Sequence, residues 1–299
     1  MQYINNVSTI GVGCMRFKDL SQDQLYELIT TALNHGINFF DHADIYGKGF
    51  SETHFGHVLS SHPELRDKMF IQSKCAIHDG LYDFSKEYIL QSVDGILERL
   101  QTDHIDSLLL HRPDVLMELE EVKEAFDILE ASGKVLHFGV SNMNRYQMEL
   151  LQSGINQKLF ANQLQLSLAH TPIIDTYVNV NRIEDNGIMR EAGSLEYTRM
   201  NDVILQTWSP IQSSKFKETF INHPEYKELN DLLEQLAQKY HVEKDTIAYT
   251  WLLRLPTNVQ VITGTTNKQR IIHAAKASDI TLTRQEWYNL YKAAGNKLP

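Results

Sequence analysis

Short apolar runs alternate with longer segments of helical periodicity along almost the whole chain. Strands are predicted at Ser8–Gly11, Ile37–Phe40, Met69–Ser73, Ile105–Leu110, Val135–Val140, Phe160–Leu164, Val203–Thr207 and Val259–Ile262. Between them, apolar residues recur at helical spacing in Gln22–Asn34, Ile89–Leu100, Leu119–Ala131 and Tyr146–Leu151, the mark of helices that bury one face. The pattern is less regular over Asp175–Arg190, Leu229–Leu255 and Lys268–Ala277, and a last helix is predicted at Arg284–Ala294.

Such alternation implies right-handed crossovers and a parallel sheet covered by helices. Eight strand–helix units in 299 residues fit a closed (β/α)8 TIM barrel, an α/β fold, followed here by an extra C-terminal helix. An open doubly wound sheet is the competing architecture. No Pro-, Gly- or Ser-rich linker, low-complexity tract or shift of composition divides the chain, so residues 1–299 are read as one domain.

Apolar residues make up 42% of the chain, enough for a sizeable core. With 28 basic and 38 acidic residues the net charge is −10, which argues against a nucleic-acid partner and against attraction to an anionic membrane. The two cysteines, Cys14 and Cys75, form no CxxC pair and suggest a reducing compartment. MQYINNVSTIGVG lacks the basic and apolar segments of a signal peptide, and no apolar stretch is long enough to span a bilayer. A cytoplasmic protein is expected, of open oligomeric state.

Two local signals carry little. GVGCMR at Gly11–Arg16 begins like a dinucleotide fingerprint, but Arg16 stands where the third glycine belongs and FKDLS follows instead of a helix. His54 and His57 are three apart on a predicted helix without a clear third ligand, so no metal site is assigned.

The active site of a TIM barrel forms at the C-terminal ends of its strands. Here those ends deliver Asp41, with Tyr46 in the loop beyond, then Lys74, then His111 followed by Arg112 and Pro113. The later strands end in Ser141–Asn142, Asn162–Gln163, Trp208–Ser209 and Gly264–Thr266. Singly, each has a structural explanation: a turn aspartate, a solvated lysine, a packed tyrosine, a hydrogen-bonded core histidine. Convergence on one mouth is what gives them meaning. A tyrosine is a poor acid near neutrality, but a neighbouring ammonium favours the phenolate and lowers its pKa, and a carboxylate holds the lysine. A histidine beside them can orient a carbonyl oxygen. Such a quartet suits protonation of an oxygen as charge develops on it.

These residues resemble the aldo-keto reductases. The carrying segments are DHADIYG from Asp41, Ser73–Lys74, DSLLLHRPD from Asp106, GKVLHFGVSN (Gly133–Asn142), NQLQLS (Asn162–Ser167), TWSPI (Thr207–Ile211) and TGTTNKQR (Thr263–Arg270). They span essentially the whole chain, in order. HADIYG, SKC and the ending TRQEWYNLYKAAG look most like the bacterial YdhF-type branch.

The resemblance implies NADP(H) bound across the barrel mouth and a small-molecule carbonyl substrate. It implies Tyr46 as proton donor assisted by Lys74 and Asp41, with His111 orienting the carbonyl. Ser141, Asn142 and Gln163 would hold the carboxamide, and Trp208 would stack on the nicotinamide. Ser209, Ile211, Ser213 and Lys215 would lie along the pyrophosphate, while Met15 and Arg16, after the Gly13 turn, would close the near side. Gly264 lets the backbone approach an anion, Thr265 and Thr266 offer hydroxyls, a helix N-terminus follows, and Arg270 can pair with a phosphate. A basic residue without an acidic partner favours the 2′-phosphate of NADP. Many relatives have a lysine near Gly264, and an asparagine soon after the arginine where this chain has His273–Ala274, departures that imply a looser grip on the adenine end.

Two other readings compete. A metal-dependent hydrolase would draw on Asp41, His42, Asp44 and His111, but the later strand ends supply Ser, Asn, Gln, Trp and Thr instead. An NADP(H)-binding sensor on the same barrel, with little turnover, is the alternative of a different class. Substrate shape is expected to depend on the loops His78–Phe84, Thr171–Asn181 and Gln212–Pro224.

Overall fold

The computed structural model describes residues 6–183, 185, 188–213 and 218–298. Eight parallel strands close into a barrel: β1 Ile10–Gly13, β2 Phe39–Asp41, β3 Phe70–Cys75, β4 Ile105–Leu110, β5 Val135–Ser141, β6 Leu159–Gln165, β7 Ile204–Trp208 and β8 Val259–Thr263. Gly11 of β1 lies opposite Phe39 of β2 on one side and Ile262 of β8 on the other. That double pairing closes the sheet and removes the open doubly wound alternative.

The surrounding helices are α1 Gln22–Asn34, α2 Phe50–Ser61, α3 Lys86–Leu100, α4 Leu119–Ala131, α5 Arg145–Gly154, α6 Pro172–Val178, α7 Ser194–Asn201, α8 Lys227–Tyr240, α9 Lys244–Leu253, α10 Lys268–Ala275 and α11 Arg284–Ala293. Helix α1 shows how sequence makes them. Ser21 and Gln24 form a reciprocal capping box, and Leu25, Leu28, Ile29 and Ala32 put one face into the core. Each fully buried Leu or Ile contributes about 1.5–3 kcal/mol. The extra helix α11 is fixed by Trp287, which stacks on Trp251 at 4.8 Å. Each indole N–H donates to the other residue's carbonyl at 3.0 Å. Among the described residues, no helix is long and apolar enough to cross a membrane.

The structure corrects several predicted elements, β2 among them, which starts at Phe39 rather than Ile37. Strand β1 lies two residues further along than Ser8–Gly11, because Ser8 spends its side chain and amide on turn contacts with Ile10 and Asn38. The helix predicted over Asp175–Arg190 ends at Val178, and α7 starts only after Gly193. Val180, Ile183, Ile188 and Met189 are exposed, so their helical spacing met no core, and Asn181 adopts a left-handed φ of 59°. Leu229–Leu255 is two helices, since His241 at φ 56° closes α8 by donating its amide to Ala237 and Gln238. Both halves bury an apolar face, which made them read as one.

Barrel interiors are usually filled with branched apolar side chains. This one holds only a small apolar cluster of Phe39, Phe70 and Ile262. Beside it Gln72, Ser107, Gln206 and Gln260 are all buried and linked by hydrogen bonds across the barrel, from Gln260 low in β8 to Gln72 under the strand ends. The polar layer supports the strand ends.

Candidate active site

β2 and β3 run side by side in register, Asp41 opposite Gln72, so their C-terminal ends bring Asp41 and Lys74 together. The Lys74 ammonium is fully buried. It donates to both Asp41 oxygens at 2.7 Å, to the His42 carbonyl at 2.8 Å and to the Tyr46 hydroxyl at 3.3 Å. All its protons are therefore committed. Burial alone would strip the Lys74 charge, but the Asp41 carboxylate and its hydrogen bonds outweigh this and raise its pKa. Asp41 Oδ1 also accepts from Gln72 Nε2 at 2.6 Å and Gln163 Nε2 at 3.0 Å.

Tyr46 lies in the turn after β2, its ring edge-on to His111 at 6.1 Å. Its phenol is pushed up by burial and by Asp41, and Lys74 pulls it down without prevailing. This differs from the sequence expectation of a lowered pKa, because the ring is covered more deeply than a loop position suggests. His111 is held neutral, lowered to about 3 by burial with Lys74 and Arg112 adding to it, and its Nδ1 has no hydrogen-bond partner among the described residues. His42 is buried against Phe55 and also lowered to about 3, by burial and then Lys74. Glu52, in the first turn of α2, is buried and accepts from Ser73 and Arg99. Asp44 beside it is raised to about 7 by burial and then by the Glu52 charge.

These groups open onto a cavity of about 710 Å³ lined by Asp41, Tyr46, His111, Ser141, Asn142, Gln163 and Trp208. Gly13, Met15, Arg16, Ser209, Ile211, Gly264, Thr265, Thr266 and Arg270 complete its predicted walls. Among its described lining residues stand three arginines, Arg16, Arg112 and Arg270, and one carboxylate, Asp41, already neutralised by Lys74. On a chain of net charge −10 this is a local basic pocket.

The wall groups are braced against each other. Ser141 donates to the Gln163 carbonyl at 2.9 Å, Asn142 Nδ2 donates to Ser141 at 2.7 Å, and the Trp208 indole donates to Asn142 Oδ1 at 3.3 Å. Asn142 and Ser209 both hold left-handed backbones, φ 58° and 53°, a strain seen more often at functional sites than elsewhere. Arg16 donates to the Gly264 carbonyl at 2.6 Å and joins the two ends of the cavity.

Some expectations change. Ser213 does not line the cavity. Its amide donates to Glu218 and its hydroxyl sits 2.7 Å from that of Tyr226, which folds the loop onto itself. Lys215 lies outside the described residues. The α10 amides of Gln269 and Arg270 are already taken by the Asn267 side chain, so an anion there would meet side chains rather than a free helix N-terminus. Arg112, Gln212, Thr219 and Asn267 also line the cavity. Arg112 follows the strand-ending His111 directly, Gln212 and Thr219 belong to the Gln212–Pro224 loop expected to shape the substrate site, and Asn267 lies within the TGTTNKQR segment.

A closed TIM barrel with a buried Asp–Lys pair touching a tyrosine at the strand ends is thus the class of scaffold. The profile described as the aldo/keto reductase family matches residues 9–294, and the chain belongs to that family. It is 34% identical over 298 residues to "Oxidoreductase YdhF" of Escherichia coli (strain K12), covering 96% of this chain and 93% of that one. It is 35% identical over 289 residues to a "6-dehydroglucose reductase" of Agrobacterium fabrum, covering 93% and 90%. The YdhF-type resemblance read from the motifs holds. Among solved structures, an aldo-keto reductase from Klebsiella pneumoniae in complex with NADPH superposes with a TM-score of 0.77 at 23% identity, over 96% of this chain and 90% of that one. Another from the same organism, with NADP and acetate, gives 0.77 at 22%, over 98% and 95%. At that identity both establish the TIM barrel fold.

Proposed function

We propose that this protein is an NADP(H)-dependent carbonyl reductase in which Tyr46 protonates the carbonyl oxygen, working as one NADP-binding barrel domain on a small aldehyde or ketone. The observation that carries the reading is Lys74, buried, held by Asp41 at 2.7 Å and donating to Tyr46 at 3.3 Å beside a basic cavity. The cavity suits the cofactor, with an indole wall at Trp208 and cationic groups at Arg16 and Arg270 for phosphates. The relatives crystallised with NADPH and with NADP support the same choice. The nicotinamide, when bound, supplies the hydride that a carbonyl carbon accepts.

The chain supplies everything else. Tyr46 rests protonated, as a donor must. Negative charge developing on the carbonyl oxygen draws its proton while Lys74 stabilises the phenolate left behind. His111, neutral, can hydrogen-bond and orient the oxygen but has no spare proton to give. Ser141, Asn142 and Gln163 Oε1 would hold the carboxamide, since Gln163 Nε2 is committed to Asp41 and Gln206. Thr265, Thr266 and Arg270 would meet the adenosine phosphate.

The test is single-turnover NADPH oxidation with 4-nitrobenzaldehyde, and with 6-dehydroglucose because two relatives carry that name. Positioned acid catalysis is worth about 10²–10⁴ in rate. Tyr46→Phe, which loses only a hydroxyl, should keep its fold and NADPH affinity while reduction drops by at least that range. Near-normal hydride transfer in Tyr46→Phe would sink the assignment, and tight NADPH binding without turnover in the wild type would favour the sensor.

A further inference from the structure

The quartet stands on a polarised net of amides. Gln72 Nε2 donates to Asp41 at 2.6 Å and to Gln206 Oε1 at 2.9 Å. Gln206 Nε2 returns a bond to Gln72 Oε1 at 3.0 Å and donates to Gln260 Oε1 at 2.9 Å. Gln260 Nε2 donates to the Ser8 carbonyl at 2.7 Å, at the opposite end of the barrel. Ser107 donates to Gln72 at 3.0 Å and Gln163 to Gln206 at 3.0 Å. Gln72 and Gln206 thus use both N–H groups and both lone pairs of each amide, and neither is exposed at all.

The sense of the net is forced from both ends. An ionised Asp41 can only accept, so Gln72 must present its NH₂ upward. That turns the Gln206 oxygen toward it and aims the Gln206 NH₂ at Gln260. At the base the Ser8 carbonyl also only accepts, which fixes Gln260 the same way. No amide can flip without leaving a buried group unpaired.

We infer that Gln72, with Gln206 behind it, is a positioning residue for the proton transfer: it holds the Asp41 carboxylate by its Oδ1 so that Lys74 keeps one proton for Tyr46. This rests on the proposed function. Without Gln72, Asp41 has fewer donors, concentrates its charge on Lys74 and cancels more of the ammonium's field at Tyr46. Asp41 already acts on Tyr46 in the upward direction, against Lys74. The titratable groups facing the pair are Cys14 after β1, His42 and Asp44 after β2, His111 after β4, which Arg112 in turn faces, and Glu52 of α2. The substitution leaves all of them in place.

Gln72→Met and Gln206→Met keep side-chain length and lose the bonds. In Gln72→Met, NADPH affinity should stay within about twofold, because Gln72 does not line the cavity or bond Gln163. Single-turnover reduction should fall about tenfold or more, and its alkaline limb should move to higher pH, since a more basic phenol stays protonated longer. An unchanged rate and unchanged limb in folded Gln72→Met would overturn the inference. Should the variants not fold, side-chain amide exchange in the wild type decides. Slow exchange of the Gln72 and Gln206 amides supports the net, and exchange at the rate of exposed glutamines refutes it. Loss of turnover in Tyr46→Phe is read separately, so failure of the proton-donor reading cannot be mistaken for failure of this one.

Discussion

Lys74→Met separates what the buried pair contributes to the fold from what it contributes to chemistry. Methionine keeps an unbranched side chain and removes the charge, so Asp41 is left buried without its cation. Removing one member of a buried pair costs roughly 3–5 kcal/mol. Here Asp41 retains the Gln72 and Gln163 donors at 2.6 and 3.0 Å, which places the expected loss near the lower end, about 3 kcal/mol. Asp41→Asn should cost a similar amount by stranding the ammonium. The double variant removes both charges, and the Asn oxygen can still accept from the two glutamines, so its stability should return to within about 1–2 kcal/mol of the parent. Turnover should not return, because Tyr46 has lost the cation that stabilises its phenolate. Urea melts at pH 7 give the stability arm, and single-turnover NADPH oxidation gives the chemical one. If the single losses simply add in the double variant, the two side chains are not a coupled buried pair. If the double variant reduces aldehydes at the parental rate, Lys74 has no part in the proton transfer.

Two further outcomes follow from the cavity and its surroundings. Arg270→Ala should weaken NADPH binding by about tenfold or more while leaving NADH nearly unchanged, as read by equilibrium titration; equal losses would place the 2′-phosphate elsewhere. Asp44, raised to about 7 in the fold, binds a proton more tightly folded than unfolded. Its contribution to stability is therefore complete at low pH and is lost as pH rises from the ordinary carboxyl range through 7. Asp44→Asn should gain stability over the parent from pH 5 to pH 8, on the order of a kcal/mol or more, in paired thermal melts; a constant gap would mean the carboxyl is not raised.

The barrel was legible because its signal is repetitive. Eight apolar runs broken by amphipathic segments leave few other topologies, and an error of two residues at β1 changes nothing about closure. The candidate quartet was legible because barrel geometry sends every strand end to the same place. What did not show was whatever depended on cover and on long-range pairing. Nothing in DIYG tells that Tyr46 is buried deeply enough to raise its phenol. Ile183, Ile188 and Met189 carry helical spacing in a segment that finds no core to bury it. The glutamine net left only a faint trace. In FIQSK of β3 and ILQTW of β7 a polar residue sits mid-strand at an inward position, where a plain core would have Val or Ile. Each looks like a tolerated irregularity, and only the cross-barrel distances join Gln72 to Gln206, which lie 134 residues apart.

The raised Tyr46 phenol and the buried lysine beside it look contradictory, since one resists ionisation and the other promotes it. They act at different stages. In the resting site burial dominates and keeps the phenol protonated well into the alkaline range, which is the form an acid must have before reaction. The Lys74 field costs nothing at that stage, because the ammonium is satisfied by Asp41 and the His42 carbonyl. In the proposed reaction, as negative charge grows on a bound carbonyl oxygen the proton would leave Tyr46 for it, and the same field would then fall on a phenolate in a buried site, where it is strongest. A lysine exposed to water would be screened at that moment, and a tyrosine exposed to water would gain little from it. Burying both makes each difficult to hold alone and effective together. Holding them requires a carboxylate for the lysine and donors for the carboxylate, so the amide layer beneath the mouth is the structural consequence of placing a charge there.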